Sequence, residues 1–518
     1  MSSEPDGLGA IDPDSSFEQE QKKNLVKSLN LFDLVFFGIA TVVSLDVLGE
    51  ISSFGGQTFT WMLILVPLFV IPYAFLMSEM GGAFAEEGGP YVWMKLAFGR
   101  FWSALGAMLY WITNPLWLGG SLCFLSAAAV NENLISMPEG SLGDWLFKLI
   151  FVWTGILVAV ISLKRGKWIP SIGAFVKVGV LVIVTVTVVI YAIEHGVHGY
   201  GISGFSPTLA GFIAAVPVLV FAISGFECGT AASEEMRNAQ HDIPRYITRS
   251  AFASAFCYLI PILSILLVVP VDQITGVSGF MSAVNDTFSV YGSLQGVLVK
   301  VAAVLFVFTL LTQGAAWMMG SDRLLAAAAM DGAFPRWFGT FSKRFGTPMR
   351  VNLMSGAVAT AFVIVAQQLN SGSAATTFSI VLTVAISTVL MSYIIIYPAC
   401  WVLRRKYPDV ERPFVVPGGE WGLRLGTISA TFFVVLGSWV AVFPGTLESV
   451  LGLEYDFAEE WGVSRGKFEA LTLGTLAVIV GLTVVGLWWA KMERRREARL
   501  AAEVAVAGGE AVLPRKRA

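Results

Sequence analysis

Apolar runs long enough to cross a bilayer recur along nearly the whole chain, separated by short polar stretches. A crossing helix takes about 20 residues. Twelve runs approach or exceed that length: Leu31–Phe54, Phe59–Met80, Phe101–Val130, Trp145–Leu163, Ile169–Ala192, Leu209–Ala232, Ser250–Val271, Leu294–Ala328, Val351–Leu369, Phe378–Leu403, Leu425–Phe443 and Phe468–Ala490. None alternates polar and apolar positions as barrel strands do. Backbone groups in hydrocarbon must be satisfied within the segment, which leaves helices. The pattern predicts an all-α integral membrane protein with twelve transmembrane helices.

The polar stretches carry a second pattern. With the N-terminus and its Lys22, Lys23 and Lys27 inside, every other loop is basic. The basic loops hold Lys95 and Arg100; Lys164, Arg165 and Lys167; Arg237, Arg245 and Arg249; Arg336, Lys343, Arg344 and Arg350; and Arg404, Arg405, Lys406 and Arg412. The intervening stretches Asn131–Asp144, Glu194–Pro207, Asp272–Gly292 and Gln367–Ala374 hold no Lys or Arg, and acids outweigh Arg465 and Lys467 in the last one. A missed helix would invert the alternation downstream. The positive-inside rule then puts both termini in the cytoplasm of a multi-pass protein of the plasma (inner) membrane, with the lipid bilayer as its surroundings.

Composition agrees. Hydrophobic residues make up 55% of the chain and charged ones 14%, against roughly 25% charged in a soluble domain. Residues 1–28 and 493–518 read as disordered cytoplasmic tails. The basic end Arg515-Lys516-Arg517 is either a contact for anionic lipid or simply solvated. Cys123, Cys228, Cys257 and Cys400 fall in apolar segments, and His195, His198 and His241 in loops. No spacing suggests a metal, a cofactor or a catalytic cluster, so an enzyme is not expected, nor a nucleic-acid partner.

Polar groups at membrane depth narrow the function. The sixth run contains Ser224-Gly225-Phe226-Glu227-Cys228-Gly229. Two glycines beside an acid fit an unwound segment that offers carbonyls and half-helix ends to a ligand. The bland alternative is a kinked helix with glycines for close packing. Asp46 stands in the first run, with Thr41 and Ser44 offering hydroxyls. It either faces a ligand or pairs with a neighbouring helix. Lys177 lies deep in the fifth run, where a desolvated lysine is a candidate proton carrier or half of a structural ion pair. Trp111, Asn114, Gln313 and Tyr393 are weaker cavity candidates.

Four loop motifs, in order, resemble the amino acid–polyamine–organocation (APC) superfamily. They are Glu79-Met80-Gly81-Gly82 with Glu87-Gly88-Gly89-Pro90-Tyr91; Phe221 to Glu227 with Glu234-Glu235-Met236-Arg237-Asn238; Ser321-Asp322-Arg323-Leu324 through Phe334-Pro335; and Arg404-Arg405-Lys406-Tyr407-Pro408 with Arg412-Pro413-Phe414. The resemblance implies a LeuT-type fold: a five-plus-five inverted repeat in a ten-helix transport core, residues 29–403, with two extra helices in 404–492. Together with the polar groups of the first run, it points to a substrate site at Thr41, Val43, Ser44, Asp46, Phe221, Ser224, Gly225 and Glu227. There Gly225 marks the unwound region, Phe221 an aromatic gate, and Glu227 an acid linked to protonation in exchangers of basic amino acids and diamines. Lys177 matches a lysine that, in some proton-coupled members, replaces a sodium ion.

One departure bears on the substrate. Members that carry amino acids usually have a Gly-x-Gly stretch in the first span, whose free N–H groups hold the substrate carboxylate. Here Thr41-Val42-Val43-Ser44-Leu45 stands in its place. The expected function is proton-coupled secondary transport of an amino acid or related amine, by alternating access between helices 1 and 6. A polyamine transporter or exchanger is the alternative, and a non-transporting sensor a distant one.

Overall fold

The computed structural model describes residues 21–22, 25, 27–165, 168–270, 279–369 and 374–510. Residues 1–20 with Lys23, Lys167, the 272–278 part of one acidic loop, residues 370–373 and the basic end Arg515-Lys516-Arg517 lie outside the described residues. Among the described residues there is no strand, only an isolated bridge between Leu29 and Met236. The helices used below are α1 (Leu31–Val42), α2 (Leu45–Ser53), α3 (Gln57–Ala83), α4 (Pro90–Phe98), α5 (Arg100–Trp117), α6 (Leu142–Arg165), α7 (Trp168–His195), α8 (Leu209–Ala222), α9 (Ala239–Val268), α10 (Gln295–Met330), α11 (Met349–Leu369), α12 (Ala374–Lys406), α13 (Gly419–Val442) and α14 (Arg465–Glu510).

Ten described helices are long and apolar enough to cross a membrane, and the bent pair α1 and α2, at 41°, makes an eleventh. The run 100–133 is helical as well: α5 passes through a π-turn at Leu118–Leu122 into Cys123–Asn133. Its mixed composition, with Tyr110, Trp111, Thr113 and Asn114 buried, leaves it outside that number.

Local sequence explains where the elements start and stop. Asn30 and Asp33 form a capping box at the head of α1, each side chain accepting from the other's backbone N–H at 3.0 and 3.2 Å. Pro67 and Pro72 remove backbone donors inside α3, where a π-turn covers Val66–Val70. Thr208 caps α8 by accepting from Gly211 N at 3.1 Å. α9 begins at Ala239, before the apolar run that starts at Ser250, because the polar stretch leading into it is helical too.

α12 packs on α13 and α5; α9 packs on α3 and α1; α10 packs on α7, α5 and α6. The rim of the bundle is apolar and open: Val182, Ile183 and Val186 on α7, and Val478, Leu482 and Val485 on α14, are exposed as lipid-facing residues should be. A groove of about 740 Å³ between α14, α5 and α11 is lined by the same kind of side chain and opens to that rim.

Parts of both stretches read as tails carry contacts. Lys22 pairs with Glu234 at 2.7 Å, and Gln21 Oε1 accepts from Phe341 N at 2.9 Å. α14 runs on to Glu510, with Arg494 donating to Gly332 O and Glu493 accepting from Arg336 N at 3.0 Å.

Candidate functional site

The first site element is the gap between α1 and α2. Val43 and Ser44 are extended (ψ 120° and 122°). The last carbonyls of α1 therefore lose their helical donors. Each finds a side chain instead. Lys177 Nζ donates to Ala40 O at 2.9 Å and to Val43 O. Trp317 Nε1 donates to Thr41 O at 2.7 Å, with Gln313 Nε2 at 3.4 Å. Tyr258 O–H donates to Val42 O at 2.9 Å and accepts from Ser44 N at 2.9 Å. Lys177 completes its set on Gln313 Oε1 at 3.1 Å. Its side chain is fully buried.

The second element follows α8. Gly225 takes the left-handed conformation (φ 113°), and a short 3₁₀ segment, Phe226–Glu235, replaces regular α-helix. Glu227 opens that segment at the centre of three tyrosines. Tyr110 and Tyr393 donate to its carboxylate, each at 2.8 Å, and Tyr73 donates as well. Tyr73 O also accepts from Gly225 N at 2.7 Å and Phe226 N at 3.0 Å, so its proton is directed at Glu227. The tyrosines come from α3, α5 and α12, and so tie the broken segment to three other helices.

Two tryptophans join the breaks. Trp317 bonds Thr41 O, and its ring lies against Gly225, 2.3 Å from where a Cβ would stand. Trp117 Nε1 donates to Asp46 at 3.1 Å, and its ring meets Phe221 edge-on at 5.3 Å and Trp317 at 6.3 Å.

The structure thus brings the sequence-derived residues together, though several contribute a different group from the one expected. The Thr41 hydroxyl turns back to Phe37 O and Gly38 O, and its carbonyl does the contacting. Val43 offers its carbonyl. The Ser44 hydroxyl lies on Asp46, and the Ser224 hydroxyl returns to Val220 O at 2.6 Å. Gln313 and Tyr393 join the site at Lys177 and Glu227. Trp111 lies elsewhere: it donates to Asp322 and Ser355, both at 2.9 Å, beside a buried cluster completed by Asn352. Asn114 donates to Tyr110 O at 3.3 Å. Sequence reading passed over Tyr73, Tyr110, Trp117, Tyr258 and Trp317; the only trace they leave there is a polar tip inside an apolar run.

One end of the bundle is closed by ion pairs. Arg323, buried near the end of α10, donates to Glu87 at 2.9 Å, Glu235 at 2.7 Å and Gly346 O at 2.8 Å. Burial pushes the Glu87 carboxyl up, Arg323 pulls it back, and Glu235 and Glu234 add to the rise, leaving it at about 8. Next to it Asp331 binds Lys95 and Tyr91, with Arg100 at 3.8 Å. Glu79 holds Arg404 and Arg412 and accepts from Val416 N at 2.8 Å.

A helical bundle that crosses the membrane many times and interrupts two helices around buried charge is the architecture of a membrane transporter. The sequence model of the amino acid permease family matches residues 29–452, and the chain belongs to that family, one of transporters and not of enzymes. The APC resemblance of its loops is of the same kind. The chain is 26% identical over 462 residues to the probable agmatine/putrescine antiporter of Lactococcus lactis, covering 88% of this chain and 96% of that one. It is 22% identical to the branched-chain amino acid permease of Bacillus subtilis (83% and 92% covered) and 23% identical to the methylthioribose transporter of the same organism (77% and 86% covered).

Proposed function

We propose that this protein is a secondary active transporter of small amine-bearing solutes, with a cationic amine favoured over a zwitterionic amino acid. The observation that carries the preference is the first break. The Ser44 N–H, which would help to cradle a carboxylate, is taken by Tyr258, and the Ser44 hydroxyl is turned to Asp46. Two buried carboxylates, Asp46 and Glu227, border the same region. An ammonium is the natural complement to such a site. The similarity to a probable agmatine/putrescine antiporter supports the same reading. An amino acid permease is the second reading, favoured by the family match and the branched-chain relative.

In this mechanism the run 100–133 is the third crossing, which completes twelve helices and a ten-helix core built as an inverted repeat. The termini face the cytoplasm of the inner membrane. The substrate lies between α1/α2 and the α8 break, below Phe221. α1, α2, α3 and the α8–α9 unit rock against α5, α6, α10 and α11. Lys177 and Glu227 load and release a proton as the site changes exposure.

The test is uptake of labelled agmatine, putrescine, arginine and leucine into proteoliposomes, with and without a pH gradient. Accumulation of the amines, enhanced by the gradient, is expected. Uptake of leucine alone would turn the assignment to an amino acid permease. Ligand binding without movement of any solute would mark a sensor.

A further inference from the structure

A cavity with two carboxylates in its wall lies at the end of the bundle away from Arg323. The first span fixes the ends: Leu29 bridges Met236 beside Glu235, and Glu50 stands about 30 Å further along the axis, at 1.5 Å per residue. Glu50 follows Asp46 by four residues on one face of α2, about 6 Å higher. Pro217, on α8, precedes Phe221 by the same interval. Glu50 and Pro217 both line a cavity of about 100 Å³, so it sits one helical turn above Asp46 and Phe221. That volume is several times what one water needs.

The other side of the cavity is the hairpin between α13 and α14. The chain turns at Gly445 (φ 80°) and places Glu448, Tyr455 and Trp461 in the wall. Glu448 is only 5% exposed. Its Oε2 has no hydrogen-bond partner among the described residues. Glu50 receives Ser379 Oγ at 3.4 Å, and Trp461 Nε1 donates to Tyr455 O–H at 2.6 Å. The nearby cation, Arg465, lies over the Phe457 ring at 4.7 Å and faces Glu469 at 3.7 Å. A buried carboxylate oxygen without a donor is costly, and its siting in a wall of Trp, Tyr and aliphatic side chains specifies what would satisfy it. A hydrated inorganic ion gains nothing from that wall. An alkylammonium gains a carboxylate for its head and apolar and aromatic contact for its chain.

We infer that this cavity is an outer binding site for organic ammonium groups, in which Glu448, with Glu50 opposite, captures the cationic end of the solute before it passes Phe221. The inference rests on the amine-transport reading and adds an entry site to it. Two carboxylates in series, Glu448 and then Asp46 or Glu227, suit a solute with two basic ends.

The experiment measures initial rates of labelled agmatine uptake into proteoliposomes across concentration, for the wild type, Glu448→Gln and Trp461→Leu. Glu448→Gln should raise KM about tenfold with kcat unchanged, so that the rates converge at saturating agmatine. Trp461→Leu should raise KM in the same sense, and it carries the test if the Gln variant fails to fold. An unchanged KM in the folded variants overturns the outer site and leaves the central one standing. An equal KM rise for neutral leucine marks a packing defect and also overturns it. So does competition with agmatine by sodium or calcium at millimolar concentration, which would assign the carboxylates to an inorganic ion. A wild type that moves no amine removes the amine-transport reading itself, an outcome read without any variant.

Discussion

Lys177 donates to two main-chain carbonyls and one amide oxygen, and among the described residues it forms no ion pair. The ammonium is held by those dipoles with the Asp46 carboxylate as a more distant counter-charge, so its retention depends on how the gap between α1 and α2 is closed. If α1 swings away, Ala40 O and Val43 O go with it and the ammonium loses most of its support. In the proposed mechanism, proton release is thereby tied to movement of the helix that borders the substrate. Lys177→Ala should abolish the dependence of uptake on the pH gradient while keeping part of the affinity for agmatine, because the proposed substrate position lies on the carboxylates and not on the lysine. Undiminished gradient-driven accumulation in proteoliposomes of that variant would refute the coupling role. At this scale the sequence showed the charged members of the site and hid the rest. Lys177, Asp46 and Glu227 stand out in apolar runs because charge there is expensive. Tyr73, Tyr110 and Tyr393 do not, since a tyrosine in a helix is ordinary and its convergence on Glu227 comes from three helices far apart in sequence. Trp117 and Trp317 were hidden for the same reason.

The two broken helices follow from different local causes. After α8 the cause is Gly225, whose φ of 113° is open to few other residues. A Cβ there would also stand 2.3 Å from Trp317 Cζ2. Gly225→Ala therefore meets backbone strain and a clash with the ring that bonds Thr41 O. The strain alone is worth about 1–3 kcal/mol. The variant should melt at lower temperature in detergent and lose agmatine uptake by more than its loss of folded protein accounts for. A melting curve and uptake equal to those of the wild type would mean that the left-handed turn is dispensable. This break was legible, because Gly225 and Gly229 flank an acid. The first break carries no glycine at the gap. Val43 and Ser44 take extended angles that β-branched and small polar residues adopt freely, so only Asp46 pointed to it. The substitution of a hydrogen-bonded Ser44 N–H for an open cradle was visible only once Tyr258 was in place.

Over the whole molecule, the pattern of apolar runs and loop charge pointed to a many-helix membrane protein, which the ten long apolar helices and the bent pair α1 and α2 match. It could not locate the closure at the Arg323 end, which joins residues from the α3–α4 loop, the 3₁₀ segment, α10 and the loop before α11. That cluster sets Arg323 among Glu87, Glu235 and Glu234, the last paired with Lys22, with Glu86, Lys95 and Asp331 around the neighbouring cavity. Burial leaves the Glu87 carboxyl at about 8, whereas an exposed glutamate titrates near ~4.3. Between those values the folded protein holds a proton on Glu87 that the unfolded chain has released. Stability must then fall as pH rises across this window, and level off above the folded value. Glu87→Gln keeps the shape and the hydrogen bond to Arg323 but cannot ionise, so its contribution to the slope vanishes. The expected result is a wild-type melting temperature in detergent that declines from pH 5 to pH 8.5, and a flatter profile for Glu87→Gln, with the gap widening at the alkaline end in favour of the variant. Arg323 stays paired with Glu235 in both, so the difference isolates the proton on Glu87. Parallel profiles would place the titrating group elsewhere in the cluster. The same proton bears on transport. While it is bound, Arg323 has one ionised partner, Glu235. Once it leaves, a second carboxylate competes for the same guanidinium in a buried space, and the end of the bundle that parts in the proposed alternating access is held less securely.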